Sequence, residues 1–247
     1  MRFDLLKEMY ETEGYYWWHK AKRAYVLYLL KKFNKLENVK ILDIGCGTGY
    51  LLKELNKYTT AYGVDKSKIS LSFCRQRGLK NIWQVDIEKR SFTKNKFDVV
   101  TALDVIEHIK DDRQALKNIA NCLQDDGILI IFTPAFPSLW SYWDEVAGHY
   151  RRYHQNSLKS LLQESGFEIK YLRFADSVIF IPAIFIRFIK GRFGNNKLTD
   201  LKSDFVKVPP LINELLFLLL RAEMLISSIL PFPFGLSFIV VAKKIVK

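Results

Sequence analysis

Ile41-Leu42-Asp43-Ile44-Gly45-Cys46-Gly47-Thr48-Gly49-Tyr50 runs an apolar strand directly into a glycine-rich turn. A helical stretch, Leu51–Lys57, follows at once. Glycines without Cβ atoms let the chain turn sharply and let a ligand lie against the backbone, with the N–H groups of the next helix facing it. Gly45, Cys46, Gly47 and Gly49 are therefore candidate ligand contacts. The dinucleotide fingerprint G-x-G-x-x-G would want Gly or Ala where Tyr50 stands, whereas this chain has G-x-G-x-G. Asp43, two residues before the first glycine, would repel a pyrophosphate and favours a cationic ligand group.

On either side of this turn, short β-branched runs alternate with amphipathic stretches. Strands are expected at Val39–Ile44, Thr60–Val64, Asn81–Val85, Phe97–Leu103 and Ile128–Thr133, with helices at Leu51–Lys57, Ser67–Arg77 and Asp112–Leu123 between them. Near-continuous apolar strands alternating with helices predict a doubly wound, mostly parallel sheet covered on both faces. Asp111 is a candidate N-cap of the third helix, and Gly127 stands shortly past its end. A further helix, Ser157–Glu164, precedes the strand Glu168–Phe174, and Ser237–Lys243 reads as the seventh and last strand. Asp65 and Asp86 close the second and third strands as Asp43 closes the first. Three carboxylates then line the carboxyl edge of the sheet, where open α/β sheets bind ligands. An acid at Asp65, 22 residues after Asp43, is placed for ribose hydroxyls.

With these motifs in order, the sequence resembles the class I S-adenosylmethionine-dependent methyltransferases, over roughly 39–174 plus the last strand. The resemblance implies a Rossmann-like seven-stranded fold with S-adenosylmethionine as cofactor and S-adenosylhomocysteine as product. In that family the loop matching Asp43–Gly49 holds the methionine part. The acid matching Asp65, with Lys66 beside it, binds the ribose, and Asp86 with Ile87 takes the adenine. Leu103-Asp104-Val105-Ile106-Glu107-His108 looks like the segment after the fourth strand that contacts the cofactor amino group, which adds Leu103, Asp104 and His108. Tyr15-Tyr16-Trp17-Trp18-His19-Lys20-Ala21-Lys22-Arg23 is similar to a gate segment of one branch, in which an Arg reaches the cofactor carboxylate. Lys22 and Arg23 compete for that role, and Lys lacks the bidentate fork of Arg. An ordinary amphipathic helix is the other reading of the same stretch.

Methyl transfer from a sulfonium to a hydroxyl needs alignment, is helped by a base within hydrogen-bond reach, and needs no metal. The loop after the fifth strand, Pro134–Glu145 followed by Gly148-His149-Tyr150-Arg151-Arg152-Tyr153, lies at the same sheet edge. His149 is the candidate base, with Tyr142, Arg151, Arg152 and Tyr153 toward the acceptor. Alternatively, the arginines pair with Asp144 and Glu145 or cap the next helix. His149–Tyr153, the entry to the sixth strand and Pro231–Ser237 also look like a bacterial and archaeal branch whose substrates are undefined.

The 247 residues divide into an N-terminal helical gate (1–38), the cofactor-binding domain (39–174 and 237–247) and an insertion (175–236) between the last two strands. The insertion carries two apolar runs, Val178–Ile189 and Leu211–Leu230, too short or too interrupted by charge to span a bilayer. They suit interfacial helices or a lid, or they pack on the sheet. The net charge is +12, and residues 167–247 hold 12 Lys/Arg against 6 Asp/Glu. Basic plus apolar favours peripheral contact with an anionic membrane; with no dense basic run and no recognisable reading motif, nucleic acid is disfavoured. A homodimer through the insertion is the other outlet for its apolar surface. Three unpaired cysteines and no apolar leader fit a reducing, cytoplasmic setting. The expected function is methyl transfer, most naturally to oxygen, on a small-molecule or lipid-linked acceptor; the competitor is a non-catalytic cofactor-binding regulator.

Overall fold

The computed structural model describes residues 3–92, 96–185 and 208–245. Two helices, α1 (Phe3–Thr12) and α2 (Trp17–Lys32), precede the strand β1 (Lys40–Ile44). Then α3 (Tyr50–Leu55), β2 (Thr60–Asp65), α4 (Lys68–Gln76), β3 (Ile82–Gln84), β4 (Phe97–Leu103), α5 (Asp112–Cys122) and β5 (Leu123–Pro134) alternate. Beyond them lie α6 (Tyr142–Ala147), α7 (Gln155–Glu164), β6 (Phe167–Ala175), α8 (Pro210–Ser227) and β7 (Ser237–Lys244).

The sheet order is β3-β2-β1-β4-β5-β7-β6. The first five strands run parallel, while β7 pairs antiparallel with both β5 and β6. Alternate residues of each strand feed different cores, as the period of two requires. Leu42, Val100, Leu129 and Val240 join Leu116 and Ile119 of α5 and Leu158 of α7, whereas Ile41, Val99, Ile130 and Val241 join Val26 and Leu29 of α2 and Leu71 of α4. Strand order reverses between β1 and β4, so the chains leaving their carboxyl ends turn apart and open a crevice.

All seven expected strands form, with ends displaced by a few residues at most except in β5. That strand starts at Leu123, immediately after α5, instead of at Ile128. Asp111 does cap α5, accepting from the Gln114 N–H at 2.9 Å. Gly127 does not terminate that helix: it lies inside β5, and Asp126 is the residue with left-handed backbone there (φ 64). Helix α7 begins two residues before the expected Ser157, whose Oγ instead accepts the His154 N–H at the helix start. Of the apolar run Val178–Ile189, a helical turn is seen at 180–185 and the remainder lies outside the described residues. The second run forms α8, which packs on α2 and β6. Among the described residues no helix is long and apolar enough to cross a membrane.

Helix α8 buries its polar side. Asn213 accepts from the Trp17 N–H at 3.0 Å and donates to the Tyr15 carbonyl at 2.8 Å, so it secures the start of α2. Glu223 accepts from the N–H groups of Ser177 and Val178, both at 2.9 Å, and Arg173 donates to the Ser227 carbonyl at 3.1 Å. Buried backbone N–H groups must find acceptors, and here a buried carboxylate serves two of them.

Candidate functional site

The glycine loop follows β1 into the crevice. Gly45 and Gly49 adopt φ +65 and +85, and a Cβ on them would lie 2.6 Å from Val105 Cγ2 and 2.5 Å from Leu79 Cδ1 respectively. Both the backbone turn and the packing therefore demand glycine. The N–H groups of Gly45 and Cys46 donate to the Val64 carbonyl, folding the loop back onto β2. Asp65 at the end of β2 accepts from the N–H of Gly47 (3.0 Å) and of Ser67 (2.7 Å). Cys46 is buried, its Sγ 4.0 Å from that of Cys74. Helix α1 covers the loop from outside: Met9 Cε lies 3.4 Å from where a Gly47 Cβ would stand, and Thr48 donates to buried Glu13, which also pairs with Arg77 at 2.6 Å.

Asp43 is 4% exposed and accepts from Thr101 Oγ1 at 2.7 Å. Burial pushes its carboxyl up to about 7, the charges of Asp65 and Glu13 adding to the effect against that hydrogen bond. Burial also raises Asp65. A cationic ligand group would relieve this pair of acids, which is the fit expected of a ligand carrying an ammonium or a sulfonium. Asp86 is half-buried beyond β3, and Ile87 is buried beside it. Lys66 is exposed.

Helix α2 separates its two candidate bases. The Lys22 ammonium pairs with Asp104 at the end of β4 and sits 3.4 Å from the Trp18 ring centroid. Arg23 turns away to the Glu13 carbonyl (2.6 Å), Glu54 (3.0 Å) and the Tyr50 ring, where it braces α1 and α3. Of the two residues left open by the sequence, Lys22 is the one at the crevice. A small cavity beside it is bounded by Phe132, Asp176, Leu220 and Glu223.

The segment after β5 supplies a second cluster. His149 Nδ1 lies 2.9 Å from Asp144 Oδ1, and Asp144 also receives Arg152 Nε at 2.7 Å and the Ser141 N–H at 2.8 Å. Burial pushes the Asp144 carboxyl up, but the His149 hydrogen bond and the Arg152 charge outweigh it and hold the group at about 2. An ionised carboxylate only accepts, so Nδ1 carries the proton and Nε2 of His149 is left as the basic atom. The His108 ring meets that of His149 edge-on at 4.6 Å, and burial lowers His108 to about 4, with His149 contributing. Glu107, His108 and His149 each offer a ligand atom within 4.8 Å of the others. This set could hold a cation, and Glu107 Oε1 within it is buried without a hydrogen-bond partner.

Three residues expected to face an acceptor are bracing groups instead. Arg152 is buried between Asp144 and the Ala135 carbonyl. Arg151 pairs with Asp112 at 2.9 Å and with the Lys110 carbonyl, and buried Tyr153 reaches Asp112 at 2.8 Å. The Ala135–Tyr153 bridge lays this segment along the end of β5, where Arg152 and Tyr153 are buried and Arg151 stays half-exposed on Asp112. The alternative in which an arginine pairs with Asp144 is the one the structure shows. Tyr142 differs, since its hydroxyl is buried without a partner. Sequence reasoning did not single out Glu13, Thr101 or Glu107; only a partner distant in sequence gives each its meaning.

A methyltransferase domain model matches residues 17–172. The chain belongs to the methyltransferase domain family. Its class I, S-adenosylmethionine-dependent form agrees with the glycine loop and the acids at the carboxyl edge. This methyltransferase domain is 32% identical over 103 residues to a ubiquinone biosynthesis O-methyltransferase of Pelagibacter ubique, covering 40% of this chain and 43% of that protein. The protein of the same description from Glaesserella parasuis is 29% identical over 146 residues, 51% of this chain and 62% of its own. The chain thus spans about half the length of these curated relatives. An S-adenosylmethionine-dependent methyltransferase from Clostridium acetobutylicum shares the fold, with TM-score 0.58 and 17% identity over 92% of both chains.

Proposed function

We propose that this methyltransferase domain methylates a hydroxyl oxygen of a small-molecule or lipid-linked acceptor, with His149 as general base. The observation that carries the reading is the Asp144–His149 pair, which leaves Nε2 as the basic atom of a ring that packs on His108. The O-methyltransferase names of the relatives support oxygen as the acceptor atom, and their ubiquinone setting supports a quinone-like, lipid-linked ring.

When bound, S-adenosylmethionine supplies an electrophilic methyl group on a sulfonium. Asp43, Lys22, Asp104 and the loop Gly45–Gly49 would hold its methionine end, Asp65 would take the ribose and Asp86 with Ile87 the adenine. Leu103 and His108 would lie toward its amino group, and Lys66 is exposed to solvent. His149 Nε2 withdraws the hydroxyl proton while Asp144 stabilises the imidazolium that forms. Arg152 keeps Asp144 ionised and in place. Tyr142, with its unpartnered hydroxyl, is the contact offered to the acceptor. A lipid-linked acceptor requires the chain to work at a membrane surface.

The test is release of S-adenosylhomocysteine with isoprenylated catechols presented in micelles. His149→Ala should lower kcat by about 10²–10⁴-fold with unchanged cofactor affinity. Equal turnover by the variant at saturating cofactor contradicts the base assignment.

A further inference from the structure

Helix α8 has its amphipathicity turned inside out. Asn213, Glu223 and Ser227 are buried, whereas Leu211, Leu215, Leu218, Leu219, Ile226 and Ile229 are between 45% and 87% exposed. At 100° per residue the five inside the helix fall on one face, and it continues past the helix end through Ile229 and Leu230. The chain leaving β6, held by Glu223, exposes Ile181 and Phe185 as well. An apolar face of this extent marks an interaction site.

We infer that the outer face of α8 seats on the surface of an anionic lipid bilayer. Two features choose the lipid. The face is built of Leu and Ile, which suit acyl chains, and Leu is under-represented among the residues that anchor protein interfaces. The charge around it is also one-sided. Of the acids on α8, Glu214 is paired with Lys20 at 2.6 Å and Glu223 is buried, while Arg221 is exposed. The chain as a whole carries a net charge of +12. Anionic headgroups would meet an apolar face, flanked by Arg221, on a net positive chain.

The seating also bears on the site. The buried side of α8 secures the start of α2 through Asn213, and α2 carries Lys22 to Asp104. Glu223 fixes Ser177, next to Asp176, and Asp176 accepts from Trp18 Nε1 at 3.3 Å and from Ser237. A helix lying in the headgroup region thus holds the cofactor gate at the membrane. In purpose this rests on the lipid-linked acceptor proposed above; its test does not.

The full chain is mixed with vesicles of phosphatidylcholine, or of phosphatidylcholine with phosphatidylglycerol, and flotation is read beside S-adenosylmethionine affinity and sedimentation velocity. Flotation with the anionic vesicles is expected, reduced by high salt. The double variant Leu218→Glu/Ile226→Glu should bind them at least about tenfold less, with unchanged circular dichroism and cofactor affinity. Absent flotation of the wild type, or equal flotation of the variant, overturns the assignment. So does a dimer that the double variant dissolves, which would give this face to a second copy. Cofactor binding without flotation rejects the membrane face alone, whereas flotation without cofactor binding rejects the methyltransferase reading alone.

Discussion

Asp43 couples cofactor binding to pH. Its carboxyl is buried and held up at about 7, so near neutrality about half of the ligand-free molecules carry a proton there. A cationic ligand group requires the carboxylate, so binding must release that proton. At pH 7 the release is about half a proton, and below the pKa the affinity falls tenfold per pH unit. Between pH 7.5 and 5.5 the S-adenosylmethionine Kd should therefore rise about 25-fold. Asp43→Asn should flatten the profile and weaken binding at pH 7.5 by about 1.5–3 kcal/mol, the worth of a hydrogen bond to a charged group. The same group shapes stability. Because its folded pKa lies above the ordinary 3.8, it favours the ligand-free fold most below pH 3.8, and that contribution is lost as pH rises through about 7. Titration calorimetry in buffers of different ionisation enthalpy reads both the slope and the proton count. A wild-type Kd that changes by less than about threefold over this range, or an Asn variant with the wild-type slope, would refute the reasoning.

Two further effects follow from the buried acids. Asp144→Asn cannot hold His149 in the tautomer that leaves Nε2 basic, so kcat with the isoprenylated catechol should fall at least about tenfold with little change in acceptor KM; wild-type kcat would contradict it. Glu223→Ala leaves the N–H groups of Ser177 and Val178 without their carboxylate, at a cost of about 2–3 kcal/mol or a Tm lower by roughly 4–12 °C. A thermal melt within about a degree of wild type would show that another acceptor replaces it.

The fold was legible because its signals are local. Buried parallel strands read as apolar runs, and Gly45, Gly47 and Gly49 mark a turn that tolerates little else. What escaped depends on distant partners. Helix α6 hides in what reads as a loop because it is six residues long and held by a box between Ser141 and Asp144. Arg151, Arg152 and Tyr153 look like an anion-steering cluster in sequence, yet Asp112, from 39 positions earlier, and Asp144 consume their donors. Lys22 and Arg23 are adjacent, and only the rotation of α2 sends one to Asp104 and the other to Glu54. The apolar run of α8 announces itself in composition, but its polar residues facing inward do not, since Asn213 and Glu223 find partners on α2 and beyond β6.

The most direct measurement is calorimetric titration of the chain and of Asp65→Ala with S-adenosylmethionine and, separately, with NADH. Micromolar binding of the methyl donor alone, lost when Asp65 is truncated, is the expected result. Binding of NADH, or S-adenosylmethionine affinity indifferent to Asp65, would contradict an S-adenosylmethionine site at the carboxyl ends of β1 and β2.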